Sequence, residues 1–267
     1  MIINGKQLQQ DIVESLRARI QSKHYALDII YVGQNAVIEK YIAAKKKLGE
    51  ALGVSVTVHR FSGEATIEEV KEKINDVSLS SDGILIQLPL PAHINRDELL
   101  EYVDPSLDVD ILTQESYERC MQGKNHRLPP VVRACTYVLE AHGINLQDKK
   151  VCILGNGKLV GKPMADWCTT RGISYSQLTR EDFSPEILLH ADVVISGMGA
   201  SHFVTPDMIK EGVVILDAGT SEEKGSVVGD VHPDVSKKAS FFTPVPGGIG
   251  PLTVVALFHN LVEPYEL

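Results

Sequence analysis

The sequence predicts an α/β chain of two domains, and three of its features carry that expectation. Helical and strand-like periodicities alternate nearly from end to end. A strand, a glycine-rich turn and a helix start follow one another at 149–163. Between the halves, 104–133 is less regular and holds Pro105, Pro129 and Pro130, so a domain junction is expected there. Alternation with short loops predicts parallel sheets covered by helices on both faces. A length of 267 residues suffices for two domains that each bury a core.

Each element has its own signal. Leu8, Ile12, Val13, Leu16 and Ile20 repeat at helical spacing, and 27–32 reads as a buried strand. A helix is expected over 36–52, stopped by Gly53, then a strand over 54–58. Thr66 with Glu69 predicts a capping box that opens a helix to about Val77. The strand 83–88 ends where Pro89 and Pro91 make continuation unfavourable. The second half predicts strands at 150–154, 173–178, 192–196 and 213–217. Helices are expected between them, to about Thr170, at 185–190 and at 206–210.

Composition narrows the function. Lys and Arg number 26 against 35 Asp and Glu, a net charge of -9, with no basic tail to grip nucleic acid or an anionic membrane. A hydrophobic content of 43% and a charged content of 23% exclude a disordered chain. Cys120, Cys135, Cys152 and Cys168 form no Cys-x-x-Cys pair, and no Cys/His group has structural zinc spacing. The start has no charged-then-apolar leader, and no apolar run approaches ~18 residues. A soluble cytoplasmic protein with reduced thiols and no metal is expected, with no nucleic acid and no membrane among its partners.

The turn Gly155-Asn156-Gly157-Lys-Leu-Val160-Gly161 would let a backbone approach a phosphate at a helix N-terminus. Its Gly-x-Gly-x-x-x-Gly spacing is one residue longer than the common dinucleotide fingerprint, and a plain strand-to-helix turn stays open. The strands ending at Gly197 and Gly219 would bring further glycines to the same sheet edge. Beyond the next strand, Thr179 and Arg180 would suit the 2'-phosphate of NADP, whereas Glu181 or Asp182 would suit the free hydroxyl of NAD. In the first half, Tyr41 and Lys45 lie one helical turn apart on one face. Lys46 and Lys47 would lower the pKa of Lys45 by like-charge repulsion, unless the segment is simply a solvated basic face. Gln87 ends a strand, and Asp108 and Asp110 stand at an extended spacing that puts both on one side. Three prolines and three glycines at 242–253 fix a rigid loop suited to close approach of a ligand.

Together these segments resemble the methylenetetrahydrofolate dehydrogenase/cyclohydrolase family over essentially the whole chain. The carriers are Tyr41-Ile-Ala-Ala-Lys45, Gly83-Ile-Leu-Ile-Gln-Leu-Pro-Leu-Pro91, Asp108-Val-Asp110, Val160-Gly-Lys-Pro163, Gly229-Asp-Val231 and Thr243-Pro-Val-Pro-Gly-Gly-Ile-Gly-Pro-Leu-Thr253. The resemblance implies oxidation of 5,10-methylenetetrahydrofolate with NADP (or NAD) and hydrolysis of the methenyl product to 10-formyltetrahydrofolate. It implies that Lys45 and Gln87 are catalytic, and that Tyr41, Asp110, Pro246, Gly247 and Gly248 bind the folate. It also implies that Gly155, Asn156, Gly157, Val160, Gly161, Thr179, Arg180 and Thr220 bind the cofactor. The implied architecture is a three-layer α/β folate domain, 1–118 completed by a closing helix at 250–267, and a Rossmann-like NAD(P) domain, 119–249. The closing helix would place Pro246 to Gly248 in a shared cleft, and a homodimer is expected.

The chain departs from the family pattern at five places. Ile38 stands for a serine, Leu107-Asp-Val-Asp-Ile111 for Lys-Asp-Val-Asp-Gly, and 129–134 for Pro-Cys-Thr-Pro-x-Gly. Gly155-Asn156-Gly157 replaces Gly-Arg-Ser, and Gln177-Leu178-Thr179 replaces Cys-His-Ser. Two other readings therefore stay open: a non-catalytic folate- or partner-binding paralogue, and a cyclohydrolase alone.

Overall fold

The computed structural model describes residues 1–20, 23–124, 126–223 and 225–265. The chain divides into two compact units, 11–129 with 254–267, and 1–10 with 130–253.

The first half runs α1 (Gly5–Ile20), β1 (Ala26–Val32), α2 (Ala36–Leu52), β2 (Ser55–Phe61), α3 (Ile67–Ser78), β3 (Gly83–Ile86), α4 (Arg96–Leu100) and α5 (Gln114–Met121). Local chemistry sets the borders. Asn35 Oδ1 accepts from the N–H groups of Val37 and Ile38 at the start of α2, and Gly53 ends it at a φ of 76°. Thr66 and Glu69 form the expected capping box of α3. β1 lies between β2 and β3, parallel to both. Its alternate residues face opposite ways. Ile30 and Val32 pack with Val70, Ile74 and Val77 of α3, whereas Tyr31 packs with Ile38 and Ile42 of α2. Helix, sheet and helix make the three layers that were expected.

The second half runs α6 (Pro130–Ala141), β4 (Val151–Leu154), α7 (Gly161–Thr170), β5 (Tyr175–Leu178), α8 (Pro185–His190), β6 (Val193–Ser196) and β7 (Val214–Asp217). The hairpin β8 (Ser221–Glu223) and β9 (Ser226–Val228), the short β10 (Phe241–Phe242) and the closing helix α9 (Ile249–Val262) follow. The parallel sheet has the order β10-β7-β6-β4-β5. Every residue of β4, β6 and β7 is buried, as in a sheet covered on both faces. No helix among the described residues is long and apolar enough to cross a membrane.

Several expectations are corrected. By contacts, residues 119–129 group with the Lys45 unit and 1–10 with the glycine-turn unit, a division drawn differently from the expected 1–118 and 119–249 domains. Residues 130–141 are helical, because Pro130 occupies the first turn, where a missing N–H costs nothing. β3 stops at Ile86 and leaves Gln87 in the loop, and 206–208 is a single 3-10 turn. The closing helix ends at Val262. Positions 266 and 267 of the expected 250–267 segment lie outside the described residues.

Candidate active site

The buried stripe of α2 is Ile38, Ile42, Lys45, Gly49 and Leu52, a 3-4 repeat with a lysine at its centre. Lys45 is only 8% exposed. Its Nζ donates to Gln87 Oε1 at 2.6 Å, and Gln87 Nε2 in turn donates to the Leu88 carbonyl at 2.8 Å. Gln87 is itself held by its backbone N–H, which donates to Ile30 O at 2.8 Å. Burial lowers the Lys45 pKa to about 8, opposed by the nearby Asp110. The cause is therefore desolvation and not like-charge repulsion, because Lys46 and Lys47 are exposed. The solvated-face alternative fails at Lys45 for the same reason. Tyr41 is half-buried one turn earlier on α2.

Asp108 and Asp110 do not act as a pair. Asp108 is buried and accepts from the N–H groups of Asp110, Leu112 and Thr113 and from Ser116 Oγ, at 3.1, 2.8, 2.8 and 2.6 Å. It is consumed in shaping its loop. Desolvation raises Asp110 to about 6, against the pull of Lys45 and with a push from Asp108. Between these carboxylates and α5, Ile111 is buried at a φ of 56°. A β-branched residue in this region is strained by roughly 1–2 kcal/mol, and Asp108 grips the backbone just beyond it. The pattern that this segment resembles carries glycine here, which such a φ favours.

Pro246, Gly247 and Gly248 belong to the glycine-turn unit, with Tyr41, Lys45, Gln87 and Asp110 in the other. Gly247 O accepts from Gly5 N at 2.9 Å, and Gly248 N donates to Pro244 O at 2.7 Å. A Cβ on Gly5 would lie 1.9 Å from Gly248 O, so this loop and the N-terminal segment touch backbone to backbone. Pro246 is exposed and follows a cis peptide bond.

The cofactor candidates collect at the carboxyl edge of the five-stranded sheet. Gly155 follows β4 at a φ of 96°, and a Cβ there would lie 2.6 Å from Gly197 O. A Cβ on Gly161 would lie 2.1 Å from Gly155 O, whereas Gly157 faces open space. Two glycines thus close the turn and the third leaves it accessible, a cradle suited to a phosphate at the start of α7. Asn156 and Gly157 are exposed, Val160 is half-buried, and no side chain caps α7. Gln177 Nε2 donates to Gly155 O at 2.9 Å. Beyond β5, the Thr179 N–H and Oγ1 both donate to Asp182 Oδ1, and Arg180 Nη2 donates to Gly199 O at 3.0 Å. Asp182 is thereby engaged by Thr179, while the exposed Arg180 keeps further donors. Thr220 is exposed just beyond β7. Among the described residues, no group of three or more His, Cys, Asp or Glu is placed to hold a metal.

Sequence reasoning passed over Ser196 and Asp217 and gave no role to Asp230 within Gly229-Asp-Val231, although all three are at most 1% exposed. The signal was a polar residue closing an otherwise apolar strand, twice, with glycines following. Burial and the charge of Asp230 push Asp217 up to about 7, against three backbone N–H donors.

Comparison with known proteins places these features. The family model described as tetrahydrofolate dehydrogenase/cyclohydrolase, catalytic domain, matches residues 3–110, and its NAD(P)-binding domain counterpart matches 129–267. The bifunctional protein FolD of Lactobacillus delbrueckii is 33% identical, with 98% of this chain and 96% of that protein covered. The crystal structure of the bifunctional FolD methylenetetrahydrofolate dehydrogenase/cyclohydrolase from Campylobacter jejuni superposes with a TM-score of 0.93 at 34% identity, covering 98% and 97% of the two chains. The Trypanosoma brucei FolD structure, complexed with NADP and an inhibitor, superposes at 0.89 with 26% identity, covering 98% and 95%.

Proposed function

This chain belongs to the tetrahydrofolate dehydrogenase/cyclohydrolase family, and from that premise we propose how its residues divide two reactions. The protein oxidises 5,10-methylenetetrahydrofolate to the methenyl form and hydrolyses that product to 10-formyltetrahydrofolate. The bound dinucleotide, NADP in this reading, supplies the hydride acceptor.

Lys45 is the acid-base group of the hydrolysis. With a pKa of about 8, roughly one molecule in ten carries the neutral amine at pH 7. That amine takes a proton as water adds to the methenyl carbon and returns it to N5 as the carbon–N5 bond breaks, while the carbinol hydroxyl loses its own proton to solvent and becomes the formyl carbonyl. Gln87 fixes Nζ through its Oε1, which leaves the amine lone pair or remaining protons for the substrate. Asp110 ionises above about 6 and offers an acceptor to the pterin amino groups, while Tyr41 provides a stacking face. Pro246, Gly247 and Gly248 supply backbone contact to the folate. Gly155, Asn156, Gly157, Val160 and Gly161 cradle the pyrophosphate. Thr179 and Arg180 meet the 2'-phosphate, and Thr220 borders the cofactor from the end of β7.

The observation that carries this reading is the 2.6 Å bond from the buried Lys45 amine to Gln87. The test follows methylenetetrahydrofolate oxidation and methenyl hydrolysis separately, with NADP and NAD side by side. Lys45→Ala is expected to abolish hydrolysis. Failure to oxidise the substrate with either dinucleotide would sink the dehydrogenase assignment. A homodimeric, cytoplasmic protein completes the proposal on the strength of the family resemblance, and a monomer mass by light scattering would overturn the first part.

A further inference from the structure

The path of the second sheet marks where a ligand belongs. After β4 the chain adds β5 on one side, then returns to add β6 on the other. Ligands of open parallel sheets bind beyond the strand ends at such a switch point. Here its walls are the turn after β4 and the turn 197–200 after β6. They leave no slack between them, because a Cβ on Gly197 would lie 2.2 Å from Val160 Cγ1.

One carboxylate holds the second wall. Asp230 Oδ2 accepts from Ser196 Oγ and from Met198 N, and its Oδ1 accepts from Ala200 N, each at 2.7 Å. Distances this short are those of charge-assisted bonds. The carboxylate is fully buried, and its seat exists only because residue 219 is glycine: a Cβ there would lie 2.1 Å from Oδ2. A second carboxylate backs the first. Asp217 Oδ1 accepts from Gly219 N and Asp230 N at 3.0 and 3.3 Å, and Oδ2 from Val231 N at 3.0 Å. Gly229 makes room for it in the same way, since a Cβ would lie 2.1 Å from Asp217 Oδ2. Two buried carboxyl groups are a poor means of filling a core, because apolar residues of similar volume usually hold it as well or better. Only an acceptor, however, can pin two backbone N–H groups of one turn and the hydroxyl that ends the strand before it in a single arrangement. The same turn carries the Gly199 carbonyl that receives Arg180.

We propose that Asp230 is a positioning residue for the dinucleotide: it fixes the 197–200 turn that walls the binding crevice and anchors Arg180. The inference rests on the dinucleotide-binding reading above. Its test uses the full-length protein with Asp230→Asn and Ser196→Ala, measuring NADP affinity by titration, the NADP KM and kcat of oxidation, and methenyl hydrolysis. Asparagine keeps the shape of the side chain but points an NH2 at a donor. It is expected to raise the NADP Kd and KM at least about tenfold, or about 1.4 kcal/mol. Ser196→Ala, which removes one of the three bonds, is expected to raise them about threefold. Any loss of hydrolysis by Asp230→Asn should be about tenfold smaller than its loss of oxidation at subsaturating NADP. If Asp230→Asn does not fold, the threefold effect of Ser196→Ala decides. Variants that bind NADP as the wild type does, or that lose both activities in step, overturn the assignment. Wild-type protein that binds neither NADP nor NAD would instead remove the reading beneath it.

Discussion

Replacing Gln87 with methionine removes the acceptor at 2.6 Å from Lys45 Nζ while keeping side-chain length. The bond favours the ammonium form, so its loss lowers the pKa of Lys45. A hydrogen bond to a charged group contributes about 1.5–3 kcal/mol, and about 1.36 kcal/mol corresponds to a tenfold change in protonation. From the starting value of about 8, Lys45 in Gln87→Met should therefore titrate between about 6 and 7. Neutral Lys45 at pH 7 then rises from about a tenth of the molecules to a half or more. The assay is the initial rate of methenyl hydrolysis from about pH 5.5 to 9.5, corrected for the uncatalysed reaction. Wild-type kcat/KM should climb with pH and level above about 8, and the variant should level one to two pH units lower, with a smaller plateau from lost positioning. Gln87→Glu supplies the opposite sign, because a carboxylate beside the ammonium must move the limb upward. Rising limbs that coincide in all three proteins would refute the role given to Gln87.

Three further outcomes follow from the same geometry. Lys45→Met should lose hydrolysis yet be stabilised relative to wild type at neutral pH. The wild-type lysine holds its proton to 10.5 when unfolded but only to about 8 when folded, so unfolding takes up a proton between these values and wild-type stability rises with pH across that window. The variant's advantage over wild type should accordingly shrink by on the order of 3 kcal/mol from pH 8 to 10.5, read from urea unfolding, and a constant difference would contradict the burial argument. Asn260→Leu should cost about 2–4 kcal/mol in the same measurement, because Asn260 is fully buried and bonds to Val109 O, Leu128 O and Leu128 N. Gly155→Ala should reduce NADP-dependent oxidation far more than hydrolysis, since the position combines a φ of 96° with a Cβ site 2.6 Å from Gly197 O; equal losses in the two assays would argue against a dinucleotide turn there.

The departures from the family pattern find local accounts. Ile38 joins Tyr31 and Ile42 in the packing beneath α2, and residues 130–134 become the first turns of α6. Gln177 has taken up support of the Gly155 turn. Arg180, just beyond β5, is anchored on Gly199 O, and that anchor was not visible before the sheet was assembled.

What the sequence by itself determined was whatever lies within about one turn of helix or one strand. The capping box at Thr66, the stop at Gly53, the alternating strands and the turn at Gly155 are all local, and all were legible, whereas the Asn35 cap of α2, equally local, was passed over. Lys45 was legible too, but for the wrong reason: its like-charged neighbours suggested the pKa shift, whereas its place on the stripe from Ile38 to Leu52 causes it by burial. Only the tertiary structure separated Asp108, spent on its own loop, from Asp110, whose charge acts on Lys45. Only it brought Lys45 to Gln87 across 42 residues and Ser196 to Asp230 across 34. Periodicity and capping are written in neighbouring residues, whereas desolvation and hydrogen-bond partnership depend on which distant segments the packed sheets bring together.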